Sequence, residues 1–307
     1  MKSLNYEDVY LIPEKCVVNS RSECDTRARL GSYIFDLPVI PANMPSLVTS
    51  RLIDTLYKRG YFYIQHRFGV DNGAFIAHMR NKMALASISI GLKEADFRFV
   101  RTHPIVPDFV TIDVAHGDSD KMCAMIEAIR FSWPNTFVIA GNIGTGKAAQ
   151  ELEYAGAHAI KVGIAPGSLC TTYQNTGFVT PMFSTIMDIS QYVNIPIIAD
   201  GGIKNYGDIA KALTAGATMV MVGGLLMGHE ETAGRRMGDM VEVYGSASKL
   251  NKSDEKHIEG ATKLVPYKHK SILDTYREIK EALQSAISYA GGKDLRAFSK
   301  VLWQTFN

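Results

Sequence analysis

At 307 residues the chain is about twice the usual single-domain length, and its 46% apolar and 21% charged composition lies near the globular average. That excludes a disordered, collagen-like or coiled-coil chain. Thirty-three Lys and Arg against thirty-one Asp and Glu leave a formal charge of +2, too small a surplus for tracking nucleic acid or an anionic lipid surface. The opening MKSLNYEDVYLIPEK has no unbroken apolar core of signal-peptide length, and the longest uncharged run, residues 212–228, is broken by glycines and threonines. Cys16, Cys24, Cys123 and Cys170 are scattered, with neither zinc spacing nor a disulfide framework, as expected of reduced thiols in a cytoplasmic enzyme.

In chain order, eight short apolar runs recur: residues 38–44, 61–66, 85–90, 109–114, 137–142, 159–164, 196–202 and 219–224. Their starts are 23, 24, 24, 28, 22, 37 and 23 residues apart. Runs so apolar suit parallel strands buried on both faces, and amphipathic stretches such as 119–131 and 145–155 are long enough for crossover helices. Eight even units predict an α/β fold, a (β/α)8 TIM barrel forming a single domain over residues 1–307. The segments Tyr154–Gly163 and Thr214–Gly223 share small residues and apolar rhythm, one βα element used twice. Residues 229–260, charged and rich in Gly and Ser, predict a mobile flap over the barrel mouth. The sequon Asn251-Lys252-Ser253 within it reads as a chance match.

In such a barrel the chemistry sits just past the C-terminal ends of the strands. Asp200-Gly201-Gly202 and Gly223-Gly224 follow two adjacent runs and leave bare backbone N–H groups suited to a phosphate. Residues 141–148, GNIGTGKA, nearly spell a nucleotide-triphosphate loop, but Ala148 stands where a magnesium-binding hydroxyl is needed, so they read as a strand exit with Asn142 facing the mouth. The loop from Gly163 to Gly177 places Cys170 among hydroxyls and turn residues at this face, a setting for a nucleophile. Asp113, closing the run FVTI, is a candidate for a hydroxyl or amide. His66, His116 and His229 lie where they could reach a ligand, but each alone reads as a hydrogen-bonded loop histidine rather than a catalytic base.

Asn5-Tyr6-Glu7-Asp8-Val9, Ser20-Arg21-Ser22-Glu23, Pro41-Ala42-Asn43-Met44, Lys161-Val162-Gly163-Ile164, Pro166-Gly167-Ser168-Leu169-Cys170-Thr171-Thr172, Asp200-Gly201-Gly202 and Tyr244-Gly245-Ser246 run in the order of the IMP dehydrogenase/GMP reductase family, which the chain resembles over nearly its whole length. The Ala-Asn-Met exit, the SRSE segment and Ser285-Ala286-Ile287-Ser288-Tyr289 resemble the bacterial reductase branch. The resemblance implies reductive deamination of GMP to IMP by NADPH, with release of ammonia. Cys170 would form a thioimidate at purine C2, and Thr172 and Glu259 would relay protons. It implies a nucleotide site of Ser168, Asp200, Gly201, Gly202, Gly223, Gly224, Gly245, Ser246 and Gly260. His66, Asp113, Val114, Ala115, Ile164, Ala165, Ser285, Ala286, Ile287 and Ser288 match cofactor positions. Ser20 and Arg21 match a pair that reaches the NADPH of a neighbouring subunit, in a homotetramer. The family's Cys-loop can also hold K+ through backbone carbonyls, here those of Ala165, Gly167 and Cys170.

Three positions depart from the family pattern: Ala165 where a second glycine is usual, Tyr173 where a basic residue is common, and Ala261 where a lysine usually follows Glu-Gly. Two alternatives stay open. An IMP dehydrogenase lacking its regulatory domain shares fold and nucleophile. The 24 residues between the second and third run starts leave no room for the paired regulatory (CBS) insert, and Arg235-Arg236 and the separate Tyr244 do not make that enzyme's Arg-Tyr pair. A catalytically weak purine-nucleotide sensor is the other.

Overall fold

The computed structural model describes residues 3–248 and 259–306. Residues 249–258 of the expected flap, with the Asn251 sequon, lie outside the described residues. In chain order the strands are Val9–Leu11 (β1), Ala28–Leu30 (β2), Tyr33–Phe35 (β3), Val39–Pro41 (β4), Ser87–Ile90 (β5), Phe109–Asp113 (β6), Phe137–Ile143 (β7), Ala159–Val162 (β8), Ile197–Asp200 (β9), Met219–Val222 (β10), Arg235–Met237 (β11), Met240–Tyr244 (β12), Thr262–Pro266 (β13) and Trp303–Thr305 (β14). Seven form one parallel sheet in the order β4-β10-β9-β8-β7-β6-β5, with helices between them, an α/β fold of the TIM-barrel type.

The run at 61–66 is extended and buried beside β5 but forms no ladder. Gln65 N donates to Ser87 O at 3.1 Å, while the hydroxyl of Ser89 donates to Gln65 O at 2.7 Å and that of Tyr63 to Leu85 O. Side chains thus take carbonyls that a regular parallel ladder would use.

Side-chain alternation divides the interior in two. Ile40, Phe62, Ile64, Phe109, Ile139, Ala159, Ile198 and Met221 point into the barrel, joined by Leu30 and Phe35 of the β2–β3 hairpin. Val110, Ile112, Ile160, Val162, Ile197, Ala199 and Val222 point out against the helices. The same period of two sends Asp113, Lys161 and Asp200 inward at the last turn of β6, β8 and β9, above this apolar layer.

Helices cover Asp120–Ser132 and Gly146–Tyr154, matching the amphipathic stretches. Thr145 caps the second, accepting from Ala148 N at 3.2 Å, and a Cβ on Gly146 would come within 2.3 Å of the Tyr192 ring. The triphosphate-like loop is therefore a capped, packed helix start. The repeated βα element is also present, with Gly156 and Gly216 at φ +103° and +113° before β8 and β10.

The 229–260 segment divides differently from its expected bounds. Its root is internal: His229 and Glu231 are buried, and Glu231 accepts from Ile272 N at 2.9 Å, capping the helix Ile272–Tyr289. Beyond it, β11, β12 and β13 form an antiparallel sheet whose third strand runs past residue 260 to Pro266.

Candidate active site

A cleft of about 700 Å3 opens at the C-terminal strand ends. Of the residues proposed from sequence, Asp113, Val114, Ala115, Ala165, Gly167, Ser168, Cys170, Asp200, Gly201, Gly202, Gly223, Gly224, Gly245, Ser246 and Glu259 line it.

The Cys-loop is held from two sides. Ile164 N donates to Thr180 Oγ1 at 2.8 Å and Thr180 N returns to Ile164 O at 2.9 Å, fixing the loop's departure from β8. Further on it pairs antiparallel with the segment after the flap: Thr171 N donates to Glu259 O at 2.9 Å, and Ala261 N to Leu169 O at 2.8 Å, so Cys170 bridges Gly260. Gly245 N donates to Ala261 O at 3.1 Å, which adds β12's exit as a third layer. Only glycine fits at 260, where a Cβ would lie 2.6 Å from Ser248 N.

That pairing brings three side chains into line. Cys170 Sγ donates to Thr172 Oγ1 at 3.1 Å, and Thr172 Oγ1 donates to Glu259 Oε2 at 2.6 Å. A thiol, a hydroxyl and a carboxylate in series form a path along which a proton could pass between sulfur and carboxylate.

Gly201 and Gly202 adopt φ +101° and +79°, and Gly202 packs against the Tyr6 ring, leaving no space for a side chain. Gly224 has open space above it. These are the glycines read as suited to a phosphate, and all four line the cleft.

Below them lies a charged cluster. Lys161 Nζ contacts Asp113 Oδ1 at 3.0 Å, Asp200 Oδ2 at 2.8 Å and Asn142 Oδ1, while Asn142 Nδ2 donates to Asp200 Oδ2 at 2.8 Å and to Gly163 O at 2.8 Å. Arg67 Nε donates to Asp113 O at 3.0 Å and lies 3.9 Å from its carboxylate. Burial pushes the Asp113 carboxyl up, but Lys161 and Arg67 outweigh it and hold it below the usual carboxylate range. Burial would likewise depress the Lys161 ammonium; Asp200 and Asp113 overcome it and hold the pKa above the ordinary lysine value.

Lys161 and Arg67 escaped the site reading of the sequence. The signal was parity: in AIKV, Lys161 shares its face with Ala159, so a charge at that register must enter the barrel.

Several expected contacts are displaced. His66 does not line the cleft; its Nδ1 accepts from Phe68 N at 3.3 Å, and its neighbours Arg67 and Phe68 reach the cleft instead. His116 is exposed. His229 is a core residue, donating from Nδ1 to Leu226 O at 2.9 Å and accepting from Thr275 Oγ1 at 2.7 Å. Ile164, Thr172 and Gly260 support the lining rather than form it.

Ser20, Arg21 and Ser285 assemble elsewhere on the chain. Arg21 donates to Ser285 Oγ and Tyr289 OH, both at 3.2 Å, with its guanidinium 5.3 Å from the Tyr289 ring centre. Ser20 caps the turn carrying Arg21. Ile287 faces the core and Ser288 is buried, because residues 276, 279, 283 and 287 form the inward stripe of their helix; Ala286 packs partly against that core.

Of the carbonyls expected to hold K+, that of Gly167 accepts a hydrogen bond within the loop. Gly167 O accepts Cys170 N at 3.0 Å, and its neighbour Ser168 O accepts the Lys263 ammonium at 2.6 Å. Ala165 stands at φ +58°, a conformation that glycine adopts without strain. Arg236 of the flap lies 4.0 Å over Tyr267, just past β13, but neither residue lines the cleft.

With this geometry in view, a family model described as IMP dehydrogenase / GMP reductase domain matches residues 3–305. The chain belongs to that family. Curated relatives named GMP reductase include those of Enterococcus faecalis, 49% identical, Lactococcus lactis subsp. cremoris, 48%, and Helicobacter pylori, 46%. Each alignment covers 98% of this chain and 95% of the relative. Among the described residues no helix is long and apolar enough to cross a membrane.

Proposed function

We propose that this chain catalyses the reductive deamination of GMP: GMP, NADPH and two protons give IMP, NADP+ and ammonium. The observation that carries this reading is the hydrogen-bond series Cys170–Thr172–Glu259 at the cleft wall. It couples a nucleophile to a group able to protonate a leaving amine. Family relatives bearing the reductase name support it.

The Cys170 thiol passes its proton through Thr172 toward Glu259, and the sulfur adds to purine C2. The amine leaves as ammonia once Glu259, through Thr172, supplies its proton, and a thioimidate remains. A nicotinamide supplies the hydride that C2 accepts. The C–S electron pair then returns to Cys170, a good leaving group as well as a good nucleophile. The glycines at 201–202 and 223–224 bind the phosphate, Ser168, Gly245 and Ser246 the purine side, and Asp200 the ribose. Asp113, Val114 and Ala115 would hold the nicotinamide end. Their fit rests on a carboxylate kept ionised beside an open stretch of backbone in the cleft.

Arg21, Ser285 and Tyr289 form a patch whose guanidinium suits the 2′-phosphate that distinguishes NADPH. Serving a neighbouring subunit's cofactor, this patch makes the working form a homotetramer of single-barrel chains. No step is routed through K+. Four free cysteines agree with a cytoplasmic setting.

The test is loss of the near-ultraviolet absorbance of reduced nicotinamide. Oxidation of NADPH only when GMP is present, abolished by Cys170→Ala, is expected. Reduction of NAD+ with IMP instead would make the chain a dehydrogenase. Tight GMP binding without turnover in either direction would make it a sensor.

A further inference from the structure

Lys161 is the most buried charge of the mouth, its side chain 3% exposed, and the proton path above makes no use of it. Its ammonium has three protons and meets three acceptors, Asp113, Asn142 and Asp200, from the strand ends of β6, β7 and β9. Packing alone does not call for a charge there. The inward residues of the layer beneath are apolar, and replacing a buried ion pair by apolar side chains is commonly neutral or stabilising. The geometry also leaves the Asp200 carboxylate half free, while the Asn43 amide joins Lys161 and Arg67 around Asp113. Asp200 spends Oδ2 on Lys161 and Asn142, and among the described residues its Oδ1 makes no hydrogen bond, although Asp200 lines the cleft. Asp113 gives Oδ1 to Lys161 and keeps Oδ2 at 3.9 Å from Arg67.

We infer that Lys161 is a positioning residue that links the two ligand sites: one ammonium, shared between Asp200 on the nucleotide side and Asp113 on the cofactor side, aims both carboxylates into the cleft and makes the strength of each depend on the other. The assignment of sides rests on the GMP reductase reading. The charges facing the cluster are Asp113 on β6, Lys161 on β8, Asp200 on β9 and Arg67 beyond the 61–66 segment; Asn43 and Asn142 add amides, and Tyr6 places a buried phenol in the field of Asp200. Two cations balance two carboxylates. Without Lys161, two half-buried carboxylates would share Arg67 alone, and Asp113 would lose the largest charge that holds its carboxyl down.

The link predicts a crossed effect. Asp113→Asn alters the cofactor side only, yet it leaves Asp200 the one carboxylate on the ammonium and makes it a poorer acceptor. GMP binding, measured by calorimetry on the full chain with no cofactor present, should weaken about fivefold in Asp113→Asn and at least tenfold in Lys161→Met. In a Lys161→Met background, Asp113→Asn should weaken it no further. The acid limb of GMP binding should also move toward neutrality in Lys161→Met. GMP affinity within twofold of the parent in Asp113→Asn overturns the proposal, and that variant decides it alone if Lys161→Met does not fold. A parent chain that binds GMP but does not oxidise NADPH with it defeats the reductase reading, while the crossed effect still decides for or against the link. Absence of GMP binding by the parent overturns both.

Discussion

The two sides of the cleft are built on different supports. Asp113, Lys161 and Asp200 stand on strands laddered to both neighbours over a fully buried layer, so their positions follow from the barrel itself. Cys170 and Glu259 stand on segments that hold chiefly each other, by backbone pairing and by a hydrogen bond through Thr172. The strand side can keep charges at fixed spacing in a poorly solvated place. The loop side can carry a group that must form and break a bond. Binding and chemistry are thus separated by the stiffness of what holds them.

Substitutions should respect that division. The largest effect is expected on the loop side: Glu259→Gln keeps the shape but removes the base, and kcat should fall by about 10^2 to 10^3 with KM for GMP changed little. A matching rise in KM would mean that Glu259 binds rather than relays. On the strand side, Gly163→Ala would set a Cβ 2.2 Å from Asp200 O at φ +146°. A loss of about 3 kcal/mol in denaturant unfolding, with weakened GMP binding, is expected. Unchanged stability would show the strand ends to be softer than the ladders imply.

Acid should separate the two sides by pH. Burial holds His229, at the root of the flap, down to about 4, so it is neutral when folded. A lowered folded pKa contributes stability that is complete above the unfolded value and is lost as pH falls. Stability should drop by about 2 kcal/mol between about pH 6.5 and pH 4, and His229→Gln should flatten that slope. Asp113, also lowered, keeps its contribution until more acidic pH, below about 4. A slope that persisted in the Gln variant would remove His229 as its source. The smallest effect is expected at Ala165. Glycine there relieves the left-handed strain but adds unfolded-state freedom, for a net gain of about 0.5 kcal/mol in the same unfolding measurement.

The strand side was the more legible in sequence. Run spacing locates the barrel strands, and the cleft-lining glycines follow from their place after β9 and β10. The 61–66 run failed as a strand because hydroxyls of Ser89 and Tyr63 take backbone carbonyls, which composition does not display. Lys161 was hidden inside an apolar run, where counting hydrophobes conceals the side-chain face that alternation would expose. His229 looked like a loop residue because burial by Thr275, 46 residues on, leaves no local trace. On the loop side, Cys170 stood out by its neighbours. Glu259 did not: it lies 87 residues from Thr172, and only the family resemblance joined them before the fold did.

The ladder between residues 169–171 and 259–261 makes the thiol and its acid a single rigid body. Any breathing of the mouth that preserves those bonds moves sulfur, hydroxyl and carboxylate together. Opening for ligand exchange then changes how far the trio stands from the purine, not the spacing within it. In the proposed reaction the proton path would then be ready before the nucleotide arrives, and the approach of the sulfur to C2 would be the coordinate left to govern the rate.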